Sequence, residues 1–431
     1  MSGSLEETAV LEGHGPVFRR RPVWSWALVD WANSAFATTV MAGFFPVFFK
    51  QYWSAGVEVT ESTFRLGLAN TVASFVIAVG APLLGAVADR AGRRMFLLVL
   101  ATFLGATMSA GLYWASQGQW QLATALYVVG SLGFWWNSQF SDSLLTDVAA
   151  PHEYDAVSSF GYAMGYLGGG LLFIVNVLMV TQPAWFGLAD AAAGVRTSFL
   201  TVGVWWVLFT VPAMLFVREV RPAVRPRVLR AMREGVDELL GTLRRVRQHR
   251  ALLAFLLAYW FYIDGVNTVI KMAVDYGLSI GLPSAALLQA LLLTQFVAFP
   301  ASMGFGVIGR KFGPRAGIFL AIGVYAIATV AATFMTTERD FYALAVVIGL
   351  VQGGIQSLSR SYFGRLVPAG HAGEYFGFYN MMGKFASVLG PLLAGVTALL
   401  TRDPRLSILS IALLFIVGAL LLARVPREVQ D

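Results

Sequence analysis

Cysteine is absent from this 431-residue chain, histidine occurs only four times, and charged residues make up only 13% of it. Neither a disulfide framework nor a thiolate metal site can be built from such a sequence, and four scattered histidines are a poor start for a zinc centre. The chain also lacks a His-Glu-x-x-His pair of metal ligands, a Gly-x-x-x-x-Gly-Lys-Ser/Thr phosphate loop and any Ser/His pairing within its apolar runs. Metalloprotease, ATP-driven and acyl-transfer chemistry therefore lose their usual machinery. These absences predict a protein that is not an enzyme and has no cofactor or metal; any energy it uses would come from coupling to an H+ or Na+ gradient.

What fills the chain instead is apolar: 57% hydrophobic residues and a mean hydropathy of +0.67. Soluble domains carry about 25% charged residues, so a lipid bilayer is the natural solvent here. Runs long enough for a hydrocarbon core of about 30 Å fall at about 24–50, 63–88, 95–115, 120–146, 157–181 and 196–217. A second six fall at about 251–278, 284–308, 315–336, 340–364, 373–400 and 405–424. The expected fold class is thus an all-α integral membrane protein of twelve transmembrane helices in two six-helix halves, 24–217 and 251–424. Short tails, 1–23 and 425–431, flank them. The first 23 residues are polar and end in Arg19-Arg20-Arg21, and the stretch after them is too long for a signal-peptide core and has no small-residue cleavage site. It is expected to be a retained span.

The net charge of +7 invites a nucleic-acid reading, but the arginines sit in short clusters between apolar runs, so no nucleic-acid partner is expected. Of the 31 Lys and Arg, 23 belong to connections on one side, a count that includes Arg360, Arg365 and ten arginines between 218 and 250. The positive-inside rule then predicts both termini and the central loop in the cytoplasm. That loop, 218–250, spaces Leu229, Met232, Val236, Leu239, Leu240, Leu243 and Val246 as one helical face in a basic sequence. The pattern suits an amphipathic linker helix on the membrane surface.

The halves echo one another. Gly85-Ala-Val-Ala-Asp89-Arg90-Ala-Gly92-Arg93-Arg94 matches Gly306-Val-Ile-Gly-Arg310-Lys311-Phe-Gly313-Pro-Arg315, since 306 − 85 and 313 − 92 both equal 221. The same offset pairs Glu153-Tyr154 with Glu374-Tyr375 and Gly169 with Gly390. Parallel repeats of this kind are a transporter signature. The Gly-x-x-x-Asp-Arg-x-Gly-Arg-Arg run between spans two and three is similar to the signature of the major facilitator superfamily, with its degenerate copy between spans eight and nine. Asp30-Trp-Ala-Asn33-Ser-Ala-Phe36, the Phe44-Phe-Pro-Val-Phe-Phe49 run and Gly161-Tyr-Ala-Met-Gly-Tyr-Leu-Gly-Gly-Gly170 resemble the branch related to fungal vacuolar amino-acid effluxers. The resemblance implies a secondary transporter working by rocker-switch alternating access, an amino-acid or small-metabolite exporter. A drug or sugar transporter, or a lipid flippase or scramblase, is the alternative on the same fold. One departure leaves the coupling mode open: the superfamily's proton-coupled exporters often carry an arginine in span four, and 120–146 has none.

Buried ionisable groups are costly in a bilayer and therefore functional candidates. In span seven, Asp264, Asn267, Lys271 and Asp275 fall within about 80° of one another at 100° per residue. Gln352 and Gln356, Asn380 and Lys384, and Tyr162 and Tyr166 each sit at i, i+4, and Asp30, Asn33 and Asp142 lie nearer the basic side. These twelve positions, Asp275 aside, are the candidate substrate-binding or coupling residues. Lys271 or Lys384 would receive an anionic group, and Asp264 or Asp30 an ammonium or a proton. The alternative is that these charges neutralise one another as structural pairs. The candidate cytoplasmic gate comprises Gly85, Asp89, Arg90, Gly92, Arg93, Arg94 and Glu153, with Gly306, Arg310, Gly313, Arg315 and Glu374 in the second half. There Asp89 would cap or charge-complement a neighbouring helix N-terminus. Trp24, Trp26, Trp53, Trp114, Trp120 and Trp185 are expected to be interfacial anchors, and Trp31, Trp135, Trp136 and Trp260 to line the cavity. The expected setting is a bacterial inner membrane, with a small-molecule substrate and a monomer as the working unit.

Overall fold

The computed structural model describes residues 16–57, 59–219, 249–386 and 389–425, and their regular structure is all helical. The predicted linker helix and most of both tails lie outside the described residues. Twelve rods result. In the first half they are α1 (Arg21–Trp53), α2 (Val59–Ala91), α3 (Arg94–Trp114), α4 (Trp120–Val148), α5 (Tyr154–Thr181) and α6 (Ala191–Phe216). In the second they are α7 (Arg250–Ser279), α8 (Ser284–Phe312), α9 (Pro314–Ala332), α10 (Glu338–Leu366), α11 (Ala372–Phe385 and Leu389–Thr401) and α12 (Pro404–Ser410 and Ala412–Ala423).

Among the described residues, eleven stretches are long and apolar enough to cross a membrane. The one that falls short is α4. It has 29 residues, ample for a crossing of about 30 Å at 1.5 Å per residue, but its second half reads Asn137-Ser-Gln-Phe-Ser-Asp142-Ser143. Asn137, Gln139, Ser141, Asp142 and Ser143 are all buried, so α4 carries its polarity inward, where protein rather than lipid meets it. The outward faces of the bundle are the reverse: Phe75, Phe334, Leu399 and Leu400 are more than 60% exposed, as residues facing lipid should be.

In two helices the departure from straight α geometry lies beside a proline. In α1 the run Phe36–Phe44 winds as a π-helix before a short α-turn, Phe45–Phe48. Pro46 within that turn has no N–H and its ring crowds the carbonyl four residues back. Widening the preceding turns accommodates it, with the Phe45 N–H bonding the Val40 carbonyl five residues back. In α11 the first segment ends at Phe385, Ala386 departs from helical geometry, and Gly390-Pro391 falls at the start of the second segment.

Each half has its own apolar core. Phe36, Phe45, Trp53, Tyr127, Phe199 and Trp206 knit together one end of the first half, with Phe45 and Tyr127 stacked at 4.0 Å. Tyr262, Tyr325, Ile355, Phe363 and Phe415 centre the second. The halves meet chiefly along α2 with α11 and α5 with α8, with α10 against α5. Small residues on α5 let α1 lie close. A Cβ on Gly161 would stand 2.6 Å from Asp30 Oδ2, and one on Gly165 2.7 Å from Ser34 Oγ. That close packing carries Asp30 to the seam between the halves.

Candidate translocation site and gate

The seam is fastened at the arginine-rich end of the bundle by one buried cation. Arg360 of α10, 1% exposed, reaches out of the second half into the first. Its Nη1 donates to Asp30 Oδ2 at 3.1 Å and Asp142 Oδ1 at 2.9 Å. Its Nε and Nη2 donate to the Ser158 hydroxyl and carbonyl, both at 2.8 Å. The guanidinium lies 4.3 Å from the centre of the Tyr162 ring and 4.8 Å from that of Trp26. Asn380 of α11 donates to the remaining oxygen of Asp142 at 3.2 Å. A planar, five-donor guanidinium is the group that can serve two carboxylates, a hydroxyl and a carbonyl at once; an ammonium cannot.

Two further latches flank it. On α2, the Asp89 carboxylate accepts the Gly373 N–H at 2.9 Å and the Glu374 N–H at 2.8 Å, so it sits on the positive end of α11. Arg94 lies 3.6 Å from Asp89 and pairs with Asp147 at 2.9 Å. The approach depends on Gly85, where a Cβ would overlap the Gly373 carbonyl. At the pseudo-symmetric contact, a Cβ on Gly306 of α8 would stand 2.9 Å from the Cβ of Ser159 on α5. Arg310, which replaces the acid of the first copy, is exposed. The charge pair here comes from other helices: Arg365 of α10 holds Asp155 of α5 through two bonds of 2.8 and 2.9 Å, and the Ser361 hydroxyl also donates to Asp155. Ser158 and Ser159 add bonds to Ser357.

The remaining gate candidates spread around this end. Glu153 stays within the first half, paired with Arg20 at 2.8 and 2.9 Å and accepting the Ala150 N–H. Glu374 meets His371 at 3.6 Å. Arg315 donates to the Ala423 carbonyl. Arg93 lies over Phe96, and Arg90 is half-buried. Gly92 and Gly313 supply the positive φ of the two tight turns, 57° and 82°.

At mid-span, Lys384 of α11 crosses the seam to place its ammonium 3.4 Å from the centre of the Trp135 ring on α4. Gln295 of α8 donates to Thr38 of α1 at 3.0 Å. Tyr166 packs against Gly353 of α10, where a Cβ would stand 2.8 Å from its ring, and Tyr166, Gln352 and Gln356 are all half-buried. Asn267 donates to the Gly383 carbonyl at 3.5 Å. The side chain of Lys271 lies outside those described, as does that of Asp275. The buried indole N–H groups of Trp31, Trp135, Trp136 and Trp260 and the Gln295 Oε1 have no hydrogen-bond partner among the described residues.

Several positions lie elsewhere than sequence alone suggests. Arg360 counts as a topology arginine by its place near a span end, yet it is the most buried cation of the gate. Asn33 faces the interior of its own half, donating to Asn137, which in turn donates to Thr102. Asp264 is fully buried and accepts the N–H groups of Leu389 and Gly390, both at 3.0 Å, where the second segment of α11 begins. Trp26 and Trp53 are not interfacial: both are fully buried, with their indole N–H groups on the carbonyls of Ser141 and Ala115. Trp24, Trp114 and Trp185 are exposed. Asp155, Ser158 and Ser357 escape sequence reasoning because single Asp and Ser residues carry no spacing signal.

Comparison with known proteins agrees with this fold. Residues 19–430 match the family model described as Vacuole effluxer Atg22 like. The chain is 39% identical over 409 residues, 94% of each chain, to the uncharacterized MFS-type transporter YxiO of Bacillus subtilis (strain 168). It is 26% identical over 302 residues to autophagy-related protein 22-1 of Aspergillus niger, matching 64% of this chain but 48% of that longer protein. Among solved structures it resembles the human organic anion transporter MFSD10 (TETRAN), with a TM-score of 0.71 at 17% identity over 95% and 100% of the two chains. It also resembles the proton:xylose symporter XylE, with a TM-score of 0.70 at 15% identity over 94% of each. At those identities the likeness is one of fold. The chain belongs to the Atg22-like vacuole effluxer family of major facilitator superfamily transporters, multi-pass membrane proteins rather than enzymes.

Proposed function

We propose that the protein is a secondary transporter that exports an amino acid or similar small metabolite by rocker-switch alternating access, from a bacterial cell whose inner membrane it spans with both termini inside. The observation that carries this reading is the lock of Arg360 on Asp30 and Asp142 across the seam. Positive-inside topology puts that lock on the cytoplasmic side, so the conformation is closed to the cytoplasm. Opening it must break charged contacts that the bilayer would otherwise penalise, and only substrate or ion binding that favours the other state can shift the balance. The proposed solute site is at mid-span, where Lys384 contacts Trp135, Gln295 reaches Thr38 and Tyr166 packs against Gly353.

Within that site Lys384 receives the substrate carboxylate. Asp264 and Asp30 are engaged by the α11 backbone and by Arg360. In this state an ammonium is therefore met by aromatic faces and amide carbonyls, through cation–π and hydrogen-bond contacts. The same engagement favours a second reading, an organic anion with no ammonium. The test is counterflow of labelled substrates in liposomes holding the purified protein, comparing amino acids with their deaminated carboxylate analogues and with a Lys384→Met control. Amino-acid exchange lost in the control supports the first reading. Exchange of the analogues alone supports the second, and exchange unchanged by the substitution removes Lys384 from the site.

A further inference from the structure

We propose that the face of Trp135 is the seat for the substrate's ammonium group, held in this structure by Lys384 and yielded when a substrate carboxylate draws the lysine away. Loading then exchanges one cation on the ring for another, and only a solute with both an anionic and a cationic group completes the exchange. This rests on the reading of Lys384 as the carboxylate's partner. The contact joins the two halves: Lys384 of α11 places its ammonium 3.4 Å from the centre of the Trp135 ring on α4. Lys384 stands in the last turn of the first α11 segment, where the partial negative charge of the terminal carbonyls favours a cation.

A zwitterion brings an ammonium as well as a carboxylate, and the candidate acids are already engaged. Asp264 accepts the Leu389 and Gly390 N–H groups and the Thr268 hydroxyl. Asp30 and Asp142 are held by Arg360. The rings of Trp26 and Tyr162 also face a cation, but it is the Arg360 guanidinium, fixed by its bonds to Asp30, Asp142 and Ser158. Trp135 differs because its cation is an ammonium on a flexible four-carbon stem, which can be withdrawn without moving a helix. Phe134 packs edge-on against the indole, 5.2 Å between centroids and 82° between planes, and so fixes the ring that Lys384 would leave. The buried Trp135 Nε1 has no hydrogen-bond partner among the described residues. An α-amino acid carries its two charges on adjacent carbons, a spacing that lets the carboxylate meet this N–H at the ring edge while the ammonium lies over the face.

The exchange dictates an unusual response to weakening the ring. A carboxylate with no ammonium must strip Lys384 from Trp135 and leaves the face without a cation. An amino acid strips it and refills the seat, so one cation–π contact is broken and one is made. A poorer ring therefore tightens binding of the simple carboxylate and leaves that of the amino acid nearly unchanged.

The test replaces Trp135 by mono-, di- and trifluorotryptophan, which drain negative charge from the ring face at nearly constant shape. The chain has 12 tryptophans, so the analogue is inserted at this one codon by nonsense suppression. Binding of the standard amino acids and of their deaminated carboxylates to the full-length protein in lipid nanodiscs would be titrated by calorimetry. The preference for an amino acid over its own deaminated carboxylate is expected to fall stepwise with fluorination. In Trp135→Leu, where a desolvated cation–π contact is lost, it should fall by about thirtyfold. The fall should come from tighter binding of the carboxylate. A preference unchanged across the series, or a fall that comes only from weaker amino-acid binding, would overturn the proposal; if Trp135→Leu does not fold, the fluorinated series decides alone. Lys384→Met separates this proposal from the reading beneath it. Loss of both kinds of ligand in that variant keeps Lys384 as the carboxylate's partner whatever the ring series shows, whereas unchanged binding of both would sink that role and the exchange together. A wild-type protein that binds carboxylates but no amino acid removes the ammonium seat and leaves Lys384 in place; one that binds neither removes both.

Discussion

The α2–α11 and α5–α8 contacts are related by the internal repeat, yet they are fastened by different chemistry. In both, a glycine one or two turns before the basic loop, Gly85 or Gly306, lets one helix lie against the start of a helix in the other half. In the first, an acid then caps that helix through its backbone. In the second, the equivalent position is Arg310, which faces outward, and the fastening moves to Arg365 and Asp155. The backbone packing is what the repeat preserves, because close approach needs the absence of a side chain. The charges diverge because any acid within reach of a helix end or a cation can supply the attraction. Arg360 belongs to neither copy and ties both contacts to α1 and α4.

Substitutions can break this comparison in a definite order, with separation of the basic end read by spin labels at His152→Cys and Lys311→Cys, one in each half of a chain that has no other cysteine. Arg360→Ala should have the largest effect, since removing one partner of a buried ion network costs about 3–5 kcal/mol; the lock should open at all pH values and directional transport should fail. Gly85→Ala comes next. Its methyl meets unyielding backbone at Gly373, and overpacking of this kind costs about 1–3 kcal/mol. Gly306→Ala meets a serine side chain and should cost less, so equal effects would show that the two contacts are not governed by backbone approach. Asp89→Ala removes a cap worth about 1 kcal/mol and should open the end only severalfold. Smallest should be Asp155→Asn, because its partner Arg365 is 20% exposed and can rehydrate. A larger effect for Asp155→Asn than for Asp89→Ala would reverse the proposed ranking of the latches.

The same contrast explains what could be read from the chain alone. Apolar runs, the twofold offset and the Gly85–Asp89 spacing are local patterns, and they suffice for the superfamily fold. Arg360 is different: its environment is made by Asp30, Asp142 and Ser158, 330, 218 and 202 residues away. No window along the sequence separates it from an arginine that merely marks a span end. Span seven shows the limit of periodicity. The stripe Asp264, Asn267, Lys271 shares a face by its spacing alone, and Asp264 spends its carboxylate on the N–H groups of Leu389 and Gly390. The need for that cap arises from Gly390-Pro391 in another helix. Trp26 and Trp53 mislead for the same reason: position near a span end suggests an anchor, while the burial that decides otherwise comes from α4, α10 and α6.

The capped break of α11 also bears on how the chain is assembled. A segment that enters a bilayer with two backbone N–H groups unmet and a lysine at 384 is a poor independent lodger there. The group that relieves the first problem, Asp264, sits on α7 and emerges from the ribosome 125 residues earlier. In biogenesis terms α11 is a client and α7 its intramolecular chaperone: the older helix waits in the membrane with its acid bonded by Thr268 one turn on, until the younger one arrives.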